Sequence, residues 1–164
     1  MGERHTPSPR PDRSRPAHHP GRESHNRSVI YFVTVCTAGR RECLADPQVH
    51  SLLREIWLTH DRYRVGRYVL MPDHLHFFCA PGTWPPENLG GWMRFWKSAA
   101  ARRWPGGPQP SPWQRDFWDT QLREGESYTG KWHYVCENPV RAGLASRAEN
   151  WPYQGEIFPL LWHD

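Results

Sequence analysis

Apolar and polar positions follow two different periods along the chain from residue 28 onward. Residues 28–39, SVIYFVTVCTAG, are β-branched and aromatic and end in glycine, which predicts a strand. After Pro47, apolar side chains recur at three- and four-residue spacing from Val49 to Trp57. That period is typical of an amphipathic helix, and it predicts one over residues 47–63.

The rest of the chain alternates between the same two patterns. It predicts further strands over residues 64–71, 73–80 and 113–123, and further helices over residues 91–104 and 125–140. The resulting order is βαββαβα, which is the split βαβ, ferredoxin-like order with one additional C-terminal helix. We therefore predict an α+β domain with an antiparallel sheet.

The N-terminal 27 residues differ from the rest in composition. Residues 1–27 contain six arginines, five prolines and three acids, with almost no large apolar side chains. Such a segment buries too little surface to offset the entropy of ordering it, so it predicts a disordered basic tail. The tail either only solubilises the chain or contacts an anionic partner. Residues 28–164 form one predicted domain of nearly balanced charge, so any basic face there must be local.

Several classes of protein are disfavoured by composition. The four cysteines, Cys36, Cys43, Cys79 and Cys136, form no C-x-x-C pair and lie in apolar segments. This spacing disfavours a zinc-stabilised fold and fits reduced thiols in a core. No apolar run approaches the ~20 residues that span a bilayer, and no signal peptide is recognisable. The expected location is the cytoplasm.

Two histidines stand in the third predicted strand, in the stretch MPDHLHFF. Alternate side chains of a strand share a face, so His74 and His76 point to the same side of the sheet while Leu75 points to the other. Two imidazoles at this spacing can converge on one cation. A bare His-x-His is also compatible with two exposed polar side chains, and a metal site would need a third ligand.

The last predicted helix carries Tyr134 and Asn138 four residues apart, which places them on one helix face. A phenol can attack phosphorus when the phosphate is polarised and aligned, and an amide oxygen is a hard ligand suited to Mg²⁺ or Mn²⁺. Tyr128 is the nearest competing tyrosine, but six residues of helix turn it to the opposite face. Packing of the tyrosine ring and helix termination before Pro139 are the structural alternatives.

Basic side chains cluster near these helices. The second predicted helix has no acid between Gly91 and Trp104, and further cations surround the third helix. Such groups hold nucleic-acid phosphates without reading sequence, although a solvated charged face is the alternative. The candidate DNA-binding residues are Arg94, Lys97, Arg102, Arg103, Arg115, Arg123, Lys131 and Arg141.

Taken together, the motifs YFVTVCTAGRR, YVLMPDHLHFF and WQRDFWDTQLREGESYTGKWHYVCENPVRAGL resemble the IS200-like transposases, and in particular the REP-associated tyrosine transposases. The resemblance covers residues 28–153 in the same motif order. It implies a single-tyrosine HUH endonuclease acting on single-stranded DNA, often a foldback hairpin. His74 and His76 match the two histidines of the HUH motif, Tyr134 matches the nucleophile, and Asn138 takes the position of the third metal ligand.

The same resemblance implies Mg²⁺ or Mn²⁺ as cofactor and a covalent 5′-phosphotyrosine intermediate. It leaves a monomer and a homodimer both open, and with them whether the tyrosine acts within its own subunit. Two positions depart from the family pattern: Thr120 stands where relatives carry histidine, and Gly130 is expected to loosen the third helix. The alternative function is a catalytically silent protein that binds hairpin DNA.

Overall fold

The computed structural model describes residues 29–107 and 110–162. The predicted disordered tail of residues 1–27 lies outside the described residues. The described chain forms one five-stranded antiparallel sheet with helices on both faces, as predicted. None of its described helices is long and apolar enough to cross a membrane.

The sheet has the strand order β4-β1-β3-β2-β5, and every neighbouring pair is antiparallel. The strands are β1 Tyr31–Cys36, β2 Tyr63–Leu70, β3 His74–Pro81, β4 Trp118–Gln121 and β5 Gln154–Glu156. The first four strands stand in the ferredoxin-like arrangement, with β3 in the centre between β1 and β2. The predicted α+β fold class is confirmed.

The α-helices are α1 Pro47–Thr59, α2 Leu89–Arg102, α3 Tyr128–Cys136 and α4 Asn138–Arg141. Local signals set where they begin. The Asp46 carboxylate caps α1 by accepting hydrogen bonds from the backbone N–H groups of Gln48 and Val49. The Asn88 side chain caps α2 in the same way, through the N–H of Gly91.

Two apolar clusters divide the structure at the sheet. Helices α1 and α2 pack on one face, where Leu75 and Phe77 of β3 belong to the larger cluster. Helix α3 and the C-terminal segment pack on the other face, with Phe78 of β3. Because side chains alternate along a strand, His74 and His76 lie on the α3 face, as the sequence predicts.

Several elements differ from the prediction. The sequence pattern predicts no element over Gln154–Glu156, yet these residues form β5 and pair with the edge of β2. Of the predicted strand over residues 113–123, only Trp118–Gln121 forms a strand of the sheet, β4. The segment before it bends because the buried Trp113 forms an isolated bridge with Thr37 and its indole donates to the Lys97 carbonyl.

The predicted helix over residues 125–140 is two helices, which meet at Glu137 immediately before Asn138 and Pro139. Helix α3 begins later than predicted, at Tyr128, after a Ser127 cap whose hydroxyl accepts from the N–H of Gly130. Gly130 therefore takes part in the cap of α3 and does not interrupt the middle of a helix.

Candidate active site

The two histidines of β3 are partly buried and lie against each other. Their ring centroids are 4.9 Å apart, and the ring planes are inclined at 80°. Phe32 of β1 also packs against His76, and its ring stacks on the imidazole with the centroids 5.5 Å apart. This contact with the neighbouring strand restricts the movement of the two imidazole rings.

Each histidine is held by a hydrogen bond at its Nδ1 atom. His74 Nδ1 lies 2.7 Å from Asp73 Oδ1, and His76 Nδ1 lies 2.8 Å from Thr34 Oγ1. An ionised carboxylate only accepts, so Nδ1 of His74 carries the proton. When Thr34 Oγ1 accepts from Nδ1 of His76, the Nε2 atoms of both rings are left for a ligand. An imidazole held through one nitrogen and free at the other is the usual form of a metal-binding histidine.

A second layer of contacts holds Asp73 itself. Arg40 Nε lies 2.8 Å from Asp73 Oδ2, and Arg40 Nη1 donates to Cys36 Sγ at 2.8 Å. Arg40 adopts a left-handed backbone conformation with φ of 57°, directly after Gly39 with φ of 64°. A non-glycine residue there costs about 1–3 kcal/mol, and such strain concentrates at functional sites. The strained turn places the Arg40 guanidinium beside the Asp73 carboxylate, which orients His74.

The electrostatics of the pair favour neutral His76 and ionised Asp73. Burial lowers the pKa of His76 to about 3, and the neighbouring His74, Arg141 and Arg40 act in the same direction. Burial opposes ionisation of Asp73, but the hydrogen bonds and charges of His74 and Arg40 outweigh it and lower the pKa of that carboxyl. A neutral imidazole is the form that binds a cation.

The third element of the site is the junction of α3 and α4. Tyr134 is 70% exposed, so its hydroxyl is open to a substrate. The Arg141 guanidinium carbon lies 4.3 Å from the centre of the Tyr134 ring. Arg141 Nη2 also donates to the Tyr134 carbonyl and to Asn138 Oδ1, both at 2.8 Å. One arginine therefore ties the tyrosine to the asparagine across the break between the helices.

This junction faces the histidines. Val135 of α3 packs in the same apolar cluster as Phe78 of β3, and the charge of Arg141 is close enough to lower the pKa of His76. Among the described residues, no group of three His, Cys, Asp or Glu side chains could hold a metal ion. Within the described chain, the Asn138 amide is a candidate of another type for a third ligand. An amide oxygen has two lone pairs, of which Arg141 uses one.

Tyr128 is placed where it cannot serve as the nucleophile. It is buried against Phe78, with ring centroids 4.9 Å apart, and its hydroxyl accepts from the N–H of Arg67 at 3.2 Å. Burial raises the pKa of Tyr128 to about 12. The sequence-based expectation that Tyr128 and Tyr134 lie on opposite faces of the helix agrees with this contrast in exposure.

The candidate DNA-binding cations divide between the two faces of the sheet. Arg94, Lys97, Arg102 and Arg115 line one cavity beside α2. Arg103 instead pairs with Glu55 at 2.8 Å, and Lys131 pairs with Glu126 at 3.3 Å. Lys97, one of the candidate DNA-binding cations, is only 8% exposed. Its ammonium is turned inward, where it donates to the carbonyls of the bent segment before β4. Arg123, Lys131 and Arg141 lie in or next to α3 and α4.

Thr120, the departure from the family pattern, lies opposite Phe32 in the pairing of β4 with β1. Directly opposed residues share a face of the sheet, so position 120 is on the side of the His76 ring. Sequence reasoning missed Thr34, Arg40 and Asp73 as supporting residues. The only local signals for them were Asp73 next to His74 and the Gly39-Arg40 pair.

Known proteins share sequence similarity with this chain. The REP-associated tyrosine transposase of Escherichia coli (strain K12) is 26% identical over 143 residues, covering 80% of this chain and 83% of its own length. The resemblance to REP-associated tyrosine transposases is confirmed. A Haemophilus influenzae protein that provisionally bears the same name is 21% identical over 164 residues. It covers 86% of this chain and 91% of its own length. No family model matches the chain.

The fold of the REP-associated tyrosine transposases is shared as well. The solved structure of one of them bound to a REP hairpin superposes with a TM-score of 0.66, covering 84% of this chain and 82% of its own. At 21% sequence identity, this similarity establishes the common fold.

Proposed function

We propose that this protein is a metal-dependent endonuclease and strand transferase for single-stranded DNA, with Tyr134 as its nucleophile. The observation that carries the proposal is the paired orientation of His74 and His76, which leaves two Nε2 atoms on the sheet face that also bears the exposed Tyr134. Similarity to REP-associated tyrosine transposases supports a transposase function.

The proposed substrate is hairpin DNA related to REP repeats, because a relative with the same fold has been solved with a REP hairpin. Unpaired DNA suits an exposed tyrosine, since the phosphodiester of a single strand can approach the hydroxyl from the side that a duplex would block. Cationic side chains would bind the backbone phosphates of this substrate, and aromatic rings would stack on its unpaired bases.

The residues divide the chemistry between them. The Tyr134 oxygen attacks phosphorus and the bond to the 3′ oxygen breaks, so the upstream segment leaves with a 3′ oxygen that takes a proton from solvent. The downstream segment stays on the tyrosine through its 5′ phosphate, as a phosphodiester. The phenolic proton leaves to solvent, to which the side chain is open. Arg141 holds the Tyr134 ring and the Asn138 amide in one arrangement, and its charge lies beside the anionic phosphate.

His74, His76 and Asn138 are the residues that would hold a divalent cation, and two imidazoles with an amide oxygen form a donor set compatible with Mg²⁺ or Mn²⁺. When bound, the cation supplies positive charge that polarises the scissile phosphate. Asp73 and Thr34 keep the two Nε2 atoms available by engaging the Nδ1 atoms.

A hairpin-binding protein without chemistry is the second candidate. It is favoured by one contact, the hydrogen bond from Arg141 to Asn138 Oδ1, which places a positive guanidinium 2.8 Å from the proposed third ligand. A guanidinium at that distance opposes a second cation on the same oxygen. Under the enzymatic proposal, the cation uses the second lone pair of Asn138 Oδ1, and Arg141 keeps its hydrogen bond to the first.

One assay separates the two candidates. A labelled single-stranded hairpin is incubated with the protein in Mg²⁺ or Mn²⁺, and the products are separated under denaturing conditions. The enzymatic proposal predicts a labelled covalent adduct and a freed 3′-hydroxyl fragment, both absent in excess chelator. Binding of the hairpin without any adduct in either metal would favour the binding protein.

Replacing Asp73 by asparagine is expected to weaken Mn²⁺ binding about 10- to 100-fold, because the substitution removes the charged acceptor that orients His74. Titration of the protein with Mn²⁺, followed by calorimetry or by the electron paramagnetic resonance of free Mn²⁺, measures this change without any DNA. Asp61→Asn is the matched control, since it removes an equal charge from an exposed turn. Equal Mn²⁺ affinity in the two variants would contradict the role of Asp73.

A further inference from the structure

A second basic site lies beside α2, on the face of the sheet opposite the histidines. It is an open cavity of about 400 Å³, here called the α2 cleft. Its charged and polar lining consists of Arg94, Lys97, Ser98, Arg102, Ser111, Gln114 and Arg115. Cations, hydroxyls and an amide are the groups that bind phosphate, and the lining includes no carboxylate.

Two cations of the cleft have no acidic partner among the described residues. Arg94 and Arg115 are exposed, and within the described chain neither guanidinium has an acidic partner. Some exposed arginines are paired with acids: Arg62 lies 2.9 Å from Glu87, and Arg103 is paired with Glu55. A surface arginine is commonly solvated, but Arg94 and Arg115 line the same cavity as Arg102, and together they form a local positive field.

The floor of the cleft is also positive. Lys97 is 8% exposed, and its ammonium donates to the carbonyls of Gln114 at 2.7 Å and Arg115 at 3.2 Å. Two of its three N–H donors are therefore used, and the third remains for a ligand. Burial lowers the pKa of Lys97 to about 8, while the charge of Asp116 acts in the opposite direction. The side chain stays cationic at neutral pH.

The cleft is joined directly to the end of the sheet that carries the histidines. The Gln114 N–H donates to the carbonyl of Cys36, the last residue of β1, at 2.9 Å. Cys36 is in turn the cross-strand partner of His74. The two sites therefore lie at one end of the sheet, on opposite faces, and are separated by the edge formed by the segment before β4. Only an extended ligand that passes around this edge can reach both.

We propose that the α2 cleft binds backbone phosphates of the DNA substrate in a segment outside the phosphodiester that is cleaved. This inference rests on the proposed function, from which it takes DNA as the ligand. Its cations contact phosphate oxygens and its lining offers no aromatic platform for bases, so the cleft holds DNA independently of sequence. Binding here positions the strand whose cleaved phosphate lies at the histidines.

The test compares two double variants that lose the same charge. Arg94→Ala/Arg115→Ala removes the two unpaired guanidiniums of the cleft. Arg62→Ala/Arg147→Ala removes two arginines that pair with Glu87 and Glu149 elsewhere on the surface. The affinity of each protein for a labelled dT strand of about 20 nucleotides is measured by fluorescence anisotropy between about 50 and 200 mM NaCl, where salt competes with phosphate contacts.

Each lost phosphate contact on a single strand lowers the slope of log affinity against log salt by about 0.7, so the cleft variant is expected to lose about 1.4. The control variant is expected to keep the wild-type slope. Arg94→Lys/Arg115→Lys should retain most of the slope, because phosphate contacts depend chiefly on charge. This charge-conserving variant also guards against loss of folding in the alanine variant, and thermal unfolding of each protein reports on folding directly.

Equal salt slopes in the two alanine variants would overturn the cleft proposal, because they would attribute binding to net charge alone. The covalent adduct is measured on the same preparations. An adduct in the wild type together with unchanged slopes overturns the cleft and leaves the proposed function standing. A reduced slope in the cleft variant without any adduct in the wild type supports the cleft and overturns the proposed chemistry.

Discussion

Replacing Tyr134 by phenylalanine is expected to abolish covalent attachment to hairpin DNA and to leave DNA binding nearly unchanged. The substitution removes only the attacking oxygen, and the ring that contacts Arg141 at 4.3 Å remains. Loss of a nucleophile lowers turnover by a factor on the order of 10³ or more, which brings the adduct to background. Because the side chain is 70% exposed, thermal stability should not change. Labelled DNA on a denaturing gel reports the adduct, and anisotropy reports binding.

Tyr128→Phe is the matched control for this experiment. The Tyr128 hydroxyl accepts a hydrogen bond from the N–H of Arg67, so its loss should cost about 1 kcal/mol of unfolding free energy. Attachment should persist, because the Tyr128 ring is buried against Phe78. Undiminished adduct in the Tyr134 variant, or loss of adduct only in the Tyr128 variant, would contradict the assignment of the nucleophile.

Replacing His76 by alanine is expected to remove both saturable Mn²⁺ binding and metal-dependent attachment. The substitution deletes one of the two Nε2 donors that the site leaves available. Because it removes a direct ligand, the loss of Mn²⁺ affinity should exceed the roughly 10- to 100-fold expected for a supporting residue such as Asp73. Calorimetric titration with Mn²⁺ measures it without DNA.

His60→Ala is the control, because His60 lies at the end of α1, where its ring contacts Phe95 at 4.8 Å. It should retain wild-type Mn²⁺ affinity and attachment. If His76→Ala bound Mn²⁺ as tightly as His60→Ala does, the paired histidines would not be the metal site. Their orientation by Asp73 and Thr34 would then need another explanation.

The strong periodic patterns allowed most of the fold to be predicted. Strands β1 to β3 are rich in β-branched and aromatic side chains, and the helices α1 and α2 repeat apolar positions at helical spacing. The strand period also fixed the common face of His74 and His76. Strand β5 was missed because the three residues Gln154–Glu156 contain no apolar alternation, and only pairing with the edge of β2 defines them.

The supporting residues of the candidate site could not be predicted, because long-range contacts create them. Arg40 meets Asp73 only because β1 and β3 pair with Cys36 opposite His74, and because the backbone at Arg40 takes a left-handed conformation. Lys97 is buried by carbonyls from a segment seventeen and eighteen residues further along. A count of charges in sequence cannot separate such a lysine from the exposed Arg94.

The most direct measurement of the central claim is the site of DNA attachment on the protein. After reaction with a hairpin strand in Mn²⁺, the protein is digested with nuclease and protease, and the nucleotide-bearing peptide is identified by mass spectrometry. If Tyr134 is the nucleophile, we expect a single phosphodiester-linked nucleotide on Tyr134, in the peptide that also carries His133. A nucleotide on any other residue, or cleaved DNA without a modified peptide, would contradict it.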